Sequence, residues 1–162
     1  MDAMKLYSNR LILRSFQHTD LDAFADLHAD PQVMHFLGGP WTRQQAEAEL
    51  RTIMHIEATT GLPRLALEQR KQPGLIGYCG LKPAGDYVDL SYLLANAFWG
   101  LGYAAEAAQH MREFGLVALE LTNMEAGGAA DNIASIKILE RLNFNHRENL
   151  TFNDRPAIRF YD

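Results

Sequence analysis

The sequence has little cysteine, no excess of basic residues and no long apolar run. Cys79 is the only cysteine among 162 residues, which excludes an internal disulfide and a thiolate metal cluster. The formal net charge is −5, from 15 basic and 20 acidic residues, whereas a surface that neutralises phosphates would be basic. We therefore do not expect a nucleic-acid partner.

Targeting and metal-binding signals are also missing. No apolar run approaches the length of a transmembrane helix, and the first residues lack the apolar core of a signal peptide. The six histidines show no ligand spacing such as H-E-x-x-H. We expect a cytoplasmic protein with no membrane partner and no metal.

What is present is typical of one soluble globular domain. Hydrophobic residues make up 48% and charged residues 22% of the chain, and the length suits a single domain over residues 1–162. Periodicity and turn composition predict an α+β order. Helices are predicted to begin near Thr19, at Thr42, after Gly102 and at Asn132, and strands to cover residues 10–16, 64–69, 75–81, 87–94, 119–126, 144–152 and 157–161.

Residues 90–108 combine a strand end, a glycine turn and an alanine-rich helix start. Glycine lets the backbone approach a ligand closely, and the free amides of a first helical turn attract anions, phosphate above all. The alternative is a strand-to-helix turn in which glycine only permits tight packing. The spacing Gly100-x-Gly102-x-x-Ala105 also fits a dinucleotide-binding fingerprint, with Glu120 or Glu125 as its ribose-binding acid. The preceding three-strand meander argues against that last interpretation.

A second segment follows the next predicted strand. Asn132 and Ser135 are three residues apart, so both side chains lie on one face of a helix start. The structural alternative is that Asn132 is an N-cap and Ser135 an ordinary hydroxyl of the first turn.

Together these segments resemble the Gcn5-related N-acetyltransferase (GNAT) superfamily, in particular its ribosomal-protein-alanine-acetyltransferase-like branch. The resemblance runs over about residues 11–161 and includes Arg10-Leu-Ile-Leu-Arg14, Asp20, Asp30-Pro-Gln-Val-Met34, Ile76-Gly77-x-x-Gly80-Leu81, Tyr92-x-Leu94, Trp99-Gly-Leu-Gly-Tyr-Ala-Ala-Glu-Ala107 and Asn132-x-x-Ser135-x-x-x-Leu139-Glu-x-Leu-x-Phe144. It implies a single α+β domain with a mixed sheet of about six or seven strands. That sheet would be mostly antiparallel, with a parallel pair splayed at the acyl-CoA site, and four main helices would flank it.

By this resemblance the acyl donor is acetyl-CoA. The main chain of Tyr92, Leu93 and Leu94 would hold the pantetheine as an added strand, and Asn132 would contact the same arm. The pyrophosphate would lie in a loop and helix start formed by Trp99, Gly100, Leu101, Gly102, Tyr103, Ala104 and Ala105. Trp99 stands where the wider family has Gln or Arg, as is usual for this branch.

The implied reaction is direct attack of a primary amine on the thioester. Many relatives carry an acidic Tyr seven residues after the Asn, but that position is Leu139 here, and Ser135 would hydrogen-bond the leaving sulfur instead. Asp89 is the first candidate for the base and Glu148 the second. The acceptor is either a protein N-terminus or a small-molecule amine, and a homodimer is possible. A non-catalytic acyl-CoA sensor and a nicotinamide-binding domain stay as alternatives.

Overall fold

The computed structural model describes residues 2–162. Twelve α-helices and β-strands follow one another along this part of the chain, with short 3-10 helices at His18–Asp20 and Asn96–Phe98. They are β1 (Lys5–Tyr7), β2 (Leu11–Arg14), α1 (Leu21–Ala29), α2 (Arg43–Thr60), β3 (Arg64–Gln69), β4 (Gln72–Ala84), β5 (Tyr87–Leu94), α3 (Tyr103–Val117), β6 (Met124–Ala129), α4 (Ile133–Glu140), β7 (His146–Phe152) and β8 (Arg155–Tyr161).

The strands form one mixed sheet in the order β1-β2-β3-β4-β5-β6-β8-β7. Among the described strands, β5 and β6 are the one parallel pair, which confirms the predicted arrangement. The sheet has eight strands rather than six or seven. The additional strand is β1, which pairs with β2 from Lys5 opposite Arg14 to Tyr7 opposite Ile12.

Helices cover both faces of the sheet, and each face has its own apolar core. The first core lies under α3 and α4 and includes Leu13, Leu81 and Met111. The second lies under α1 and α2 and includes Phe24 and Ile53. Because successive side chains of a strand point to opposite faces, a central strand such as β5 contributes to both cores.

The predicted start of α2 at Thr42 is confirmed. The Thr42 hydroxyl accepts from the Gln45 amide at 3.2 Å, and the Gln45 side-chain oxygen accepts from the Thr42 amide at 2.8 Å. These two bonds form a capping box. The helix ends at Gly61, whose φ of 76° is in the left-handed region that favours glycine.

The predicted strand over residues 119–126 is wrong at both ends, because β6 covers Met124–Ala129. The amides of Leu119 and Leu121 donate to the carbonyls of Phe114 and Gly115. These apolar residues therefore wrap the end of α3, where carbonyls need partners. Gly127, one residue past the predicted strand, belongs to β6, and a Cβ there would stand 2.8 Å from the Ile158 carbonyl oxygen.

Two properties of residues 2–162 bear on the predicted environment. None of the helices described is both long enough and apolar enough to cross a membrane. In the same range, no three His, Cys, Asp or Glu side chains are grouped so that they could hold a metal ion.

Candidate active site

Strands β5 and β6 separate soon after they meet. They pair at Val88 with Met124 and at Asp89 with Glu125, and beyond these residues each strand keeps only its outer neighbour. Strand β5 continues beside β4 as far as Leu94, and β6 continues beside β8 as far as Ala129. One edge of β5 past Asp89 therefore faces a gap, where its backbone groups can pair with an extended ligand. Of the predicted residues, Tyr92 and Leu94 turn their backbone groups to this edge, whereas the Leu93 carbonyl is turned toward Gly77 of β4.

The glycine turn leads from the end of β5 to the start of α3. Gly100 and Gly102 have φ values of 74° and 82°, so glycine is needed there for the backbone conformation. A Cβ on Gly100 would meet nothing within 4 Å, which contradicts tight packing as the reason for that glycine. The first amides of α3 have no partner within the helix, and they adjoin this open space.

Two residues outside the predicted site hold the turn in place. The Arg10 guanidinium donates to the Leu101 carbonyl at 2.8 Å and to Glu106 at 2.8 Å, and it lies 4.4 Å from the centre of the Tyr103 ring. Although burial opposes it, bonds from Ser8 and Arg10 hold the pKa of the Glu106 carboxyl below its usual value. The Trp99 indole donates to the Leu94 carbonyl at 3.0 Å.

Asn132 and Ser135 lie at the start of α4. The Asn132 side chain accepts from the Ser135 amide at 3.3 Å, so Asn132 is the N-cap that the spacing predicts. The Ser135 hydroxyl is 3.0 Å from the Tyr92 hydroxyl of β5, and a Cβ on Gly128 of β6 would be 3.9 Å from it. Ser135 is thus placed between the two separating strands. Leu139 is 1% exposed and belongs to the first core.

Asp89 and Tyr92 lie on opposite faces of β5. Leu93 packs against the second core and Leu90 belongs to the first, so alternation turns Asp89 toward the side of α1 and α2. Tyr92 packs against the first core, on the side of α3 and α4. A group held in the gap would have a carboxylate on one side and two hydroxyls on the other.

Burial raises the pKa of Asp89 to about 6, which the charges of Lys82 and Arg64 oppose and that of Glu125 reinforces. Glu125 is opposite Asp89 on β6 and is bound by Arg159 at 2.8 Å. The sequence indicates Glu125 only as a candidate ribose ligand, and Arg159 lies in no motif that singles it out. Glu125 is brought to Asp89 by the pairing of β6 with β5. No local sequence pattern predicts which strands pair.

Glu148 is not brought to Asp89. It lies on β7, separated from β5 by β6 and β8 in the sheet order. Its carboxylate binds Arg159 at 3.1 Å, and its side chain is 49% exposed. Glu148 and Glu125 therefore share one guanidinium, and Glu148 is the outer of the two.

Aromatic residues at the end of α1 and in the segment that follows it divide into two groups. His28 of α1 is buried, stacks on Trp41 with ring centres 4.4 Å apart and is hydrogen-bonded to Tyr78. The ring of His35 contacts that of Phe36. A surface groove of about 470 Å³ begins there and reaches the glycine turn, lined by Pro31, Gln32, His35, Phe36, Asn96 and Trp99.

The dinucleotide-binding interpretation is wrong for this chain, because it requires a doubly wound parallel sheet. The sheet here is antiparallel except at β5 and β6. The glycine turn follows the fifth strand, inside the β5-α3-β6 crossover, whose two strands pair in parallel over only two residues.

Comparison with known proteins agrees with this geometry. Residues 10–145 match the family model described as an acetyltransferase (GNAT) domain. An uncharacterised N-acetyltransferase of Bacillus licheniformis, p20, is 29% identical over 144 residues, covering 86% of this chain and 81% of its own.

Two solved structures share the fold. An acetyltransferase from Agrobacterium tumefaciens superimposes with a TM-score of 0.86 at 23% identity, over 100% of this chain and 96% of its own. RimL, a ribosomal L7/L12 alpha-N-protein acetyltransferase solved in complex with coenzyme A, superimposes with a TM-score of 0.81 at 13% identity, over 98% and 96%. With a matching family model over most of its length and an N-acetyltransferase among its relatives, the chain belongs to the GNAT family of N-acetyltransferases.

Proposed function

We propose that the protein transfers the acetyl group of acetyl-CoA to a primary amine by direct attack on the thioester. The observation that carries this proposal is the gap between β5 and β6, with a free strand edge along it and the glycine turn at its end. A pantetheine arm needs such an edge, and a pyrophosphate needs such a turn.

The donor would lie along β5. The main chain of Tyr92 and Leu94, on either side of Leu93, would pair with the amides of the pantetheine, and Asn132 would stand beside the same arm. The pyrophosphate would be bound by amides of the glycine turn and of the first turn of α3, where the helix dipole favours an anion. Those residues are the predicted set Trp99, Gly100, Leu101, Gly102, Tyr103, Ala104 and Ala105.

The reaction needs a neutral amine, a positioned thioester and a stabilised leaving group. The neutral amine nitrogen forms a bond with the carbonyl carbon, and Asp89, on the side of α1 and α2, takes through a water molecule the proton that this nitrogen loses. The carbon–sulfur bond breaks, and the electron pair stays on sulfur. The Ser135 hydroxyl would donate to that thiolate, which takes a proton from solvent on release. A main-chain amide near Leu93 or Leu94 would stabilise the oxyanion.

Asp89 is preferred over Glu148 as the base for two reasons. A base working near neutral pH needs a raised pKa, which burial gives to Asp89. Glu148 is exposed and bound to Arg159, and it lies on β7, with β6 and β8 between it and β5.

The acceptor is proposed to be a protein N-terminus or a small-molecule amine. RimL acts on a ribosomal protein, which favours the first class by analogy of fold alone. We also propose a cytoplasmic protein that works without metal, nucleic acid or membrane, as a homodimer if it associates.

Two matched glycine variants test the donor site. Gly100→Glu and Gly85→Glu both place a carboxylate at a left-handed φ, 74° and 70°, with nothing within 4 Å of the new Cβ. Both lose stability from the backbone conformation, by about 1–2 kcal/mol. By calorimetric titration we expect only Gly100→Glu to lose acetyl-CoA affinity, by tenfold or more, because its carboxylate would repel the pyrophosphate.

Equal affinity in the two variants would contradict the donor site. If acetyl-CoA binds but no amine ever releases free thiol, the protein is an acyl-CoA sensor and the proposed reaction is wrong. Screening amines by thiol release separates these outcomes.

A further inference from the structure

The hydroxyl groups of Tyr92 and Ser135 join β5 to α4 across the mouth of the gap. The Tyr92 oxygen is 3.0 Å from the Ser135 hydroxyl oxygen and 3.1 Å from the Ser135 carbonyl oxygen. Resemblance to the family singles out Ser135 and the main chain of Tyr92, but it does not assign a role to the phenol.

We propose that Tyr92 is a positioning residue, whose phenol orients the Ser135 hydroxyl so that its proton points to the leaving sulfur. This inference rests on the proposed function, because it concerns the thiolate of CoA.

The two distances define how the protons can be arranged. The Ser135 carbonyl can only accept, so the bond to it uses the single phenol proton. The Ser135 hydroxyl then donates to the phenol oxygen, or it turns to another acceptor. Both acceptors are within hydrogen-bond distance of the Tyr92 oxygen, so the phenol proton can turn from the carbonyl to the Ser135 hydroxyl without displacing a heavy atom.

A thiolate forming in the gap would select the second arrangement. The Ser135 proton would turn to the sulfur, and the Tyr92 proton would turn to the Ser135 oxygen. A hydroxyl that accepts a hydrogen bond becomes a stronger donor, so Tyr92 would strengthen the bond from Ser135 to the thiolate. No proton leaves either side chain, and the thiolate takes its proton from solvent on release.

Tyr92 is suited to remain a donor. Burial raises the pKa of its hydroxyl to about 12, although the bond with Ser135 opposes this. A thiol ordinarily has a pKa near 8.5, so a thiolate is too weak a base to take the phenol proton. Tyr92 therefore stays protonated over the whole range in which an acetyltransferase would be assayed.

The alternative is that Tyr92 only braces α4 against β5. A brace would affect stability and donor affinity but not the ionisation of a bound thiol. The test therefore measures the pKa of the CoA thiol in the complex with protein, from the ultraviolet absorbance of the thiolate. It uses wild type, Tyr92→Phe, Ser135→Ala and the double variant, with Tyr87→Phe on the same strand as the control.

We expect bound CoA to have a lower thiol pKa than free CoA in wild type and in Tyr87→Phe. Loss of a hydrogen bond to a charged group should reduce the thiol ionisation constant about tenfold in Ser135→Ala and by a smaller factor in Tyr92→Phe. The double variant should match Ser135→Ala, because Tyr92 acts only through Ser135. In acetyl transfer, Tyr92→Phe should lower kcat and leave the KM for acetyl-CoA unchanged.

An unchanged thiol pKa in a Tyr92→Phe protein that still binds CoA would overturn the inference and leave the proposed function standing. Effects that multiply in the double variant would also overturn it, since they show independent roles. If wild type binds no CoA, the proposed function fails and the inference fails with it.

Discussion

Replacing Asp89 by Asn should stabilise the protein and stop its chemistry. Burial raises the pKa of Asp89 from an ordinary value of 3.8 to about 6. The folded protein therefore binds a proton between these values that the unfolded chain has released. Below pH 3.8 the carboxyl is protonated in both states and does not lower the free energy of unfolding. As the pH rises from 3.8 to 6, the free energy of unfolding falls, because the unfolded chain releases this proton to water while the buried carboxyl keeps it.

The size of the effect follows from the two pKa values. Each pKa unit corresponds to about 1.4 kcal/mol, so the ionised Asp89 carboxylate lowers the free energy of unfolding by about 3 kcal/mol at pH 7. At pH 4 the same calculation leaves about 0.5 kcal/mol. Asn has nearly the same shape and no charge, so Asp89→Asn removes this penalty. For a chain of this size, 3 kcal/mol raises the melting temperature by about 6–12 °C.

The assay is thermal and urea unfolding of wild type and Asp89→Asn between pH 4 and pH 8. Asp86→Asn, in the exposed turn before β5, is the matched control and should change stability by less than about 0.5 kcal/mol at every pH. The stability gain of Asp89→Asn should grow with pH up to about 6 and then stay constant.

Activity should change in the opposite direction. In wild type, kcat/KM should fall about tenfold per pH unit below pH 6, because only the ionised carboxylate accepts a proton. Asp89→Asn should lower the rate by a factor of about 10²–10⁴, and its kcat/KM should no longer fall below pH 6. A stability gain that does not depend on pH would refute the burial of a charged Asp89. A variant with the wild-type rate would show that Asp89 is not the base and would direct attention to Glu148.

Two further predictions concern the structure that supports the site. Arg112, whose side chain is 7% exposed, binds Asp162 and the carbonyls of Leu142 and Asn143, so Arg112→Met should lower the free energy of urea unfolding by about 3 kcal/mol. The control is Arg147→Met, which removes the exposed ion pair with Glu140 and should lower the free energy of unfolding by less than about 0.5 kcal/mol. Equal losses in the two variants would contradict a stabilising role for the buried Arg112 network. A Cβ on Gly77 would lie 2.2 Å from the Leu93 carbonyl oxygen, so Gly77→Ala should destabilise by at least about 2 kcal/mol and displace the β5 edge. Gly85→Ala is the control, because its new Cβ meets nothing within 4 Å, and it should lower the free energy of unfolding by about 1 kcal/mol. An equally small loss for Gly77→Ala would show that β4 and β5 can separate freely.

Local pattern alone determined much of the fold. The capping box of α2, the meander of β3, β4 and β5, the glycine turn and the Asn132 cap were all readable, because periodicity, caps and left-handed glycines act over a few residues. The strand over residues 119–126 was misplaced because the apolar Leu119 and Leu121 serve the end of α3. Apolar character shows that a residue is buried but not which partner buries it.

The tertiary structure decided how the site is put together. Tyr92 and Ser135 are 43 residues apart, and Arg10 and Glu106 are 96 apart, so neither contact leaves a spacing that can be read. Asp89 meets Glu125 only because β6 pairs beside β5 for two residues and then follows β8. The point at which two strands separate depends on the helices and strands packed against each of them. The sequence alone therefore determined which groups were available for chemistry, and packing decided which of them face one another.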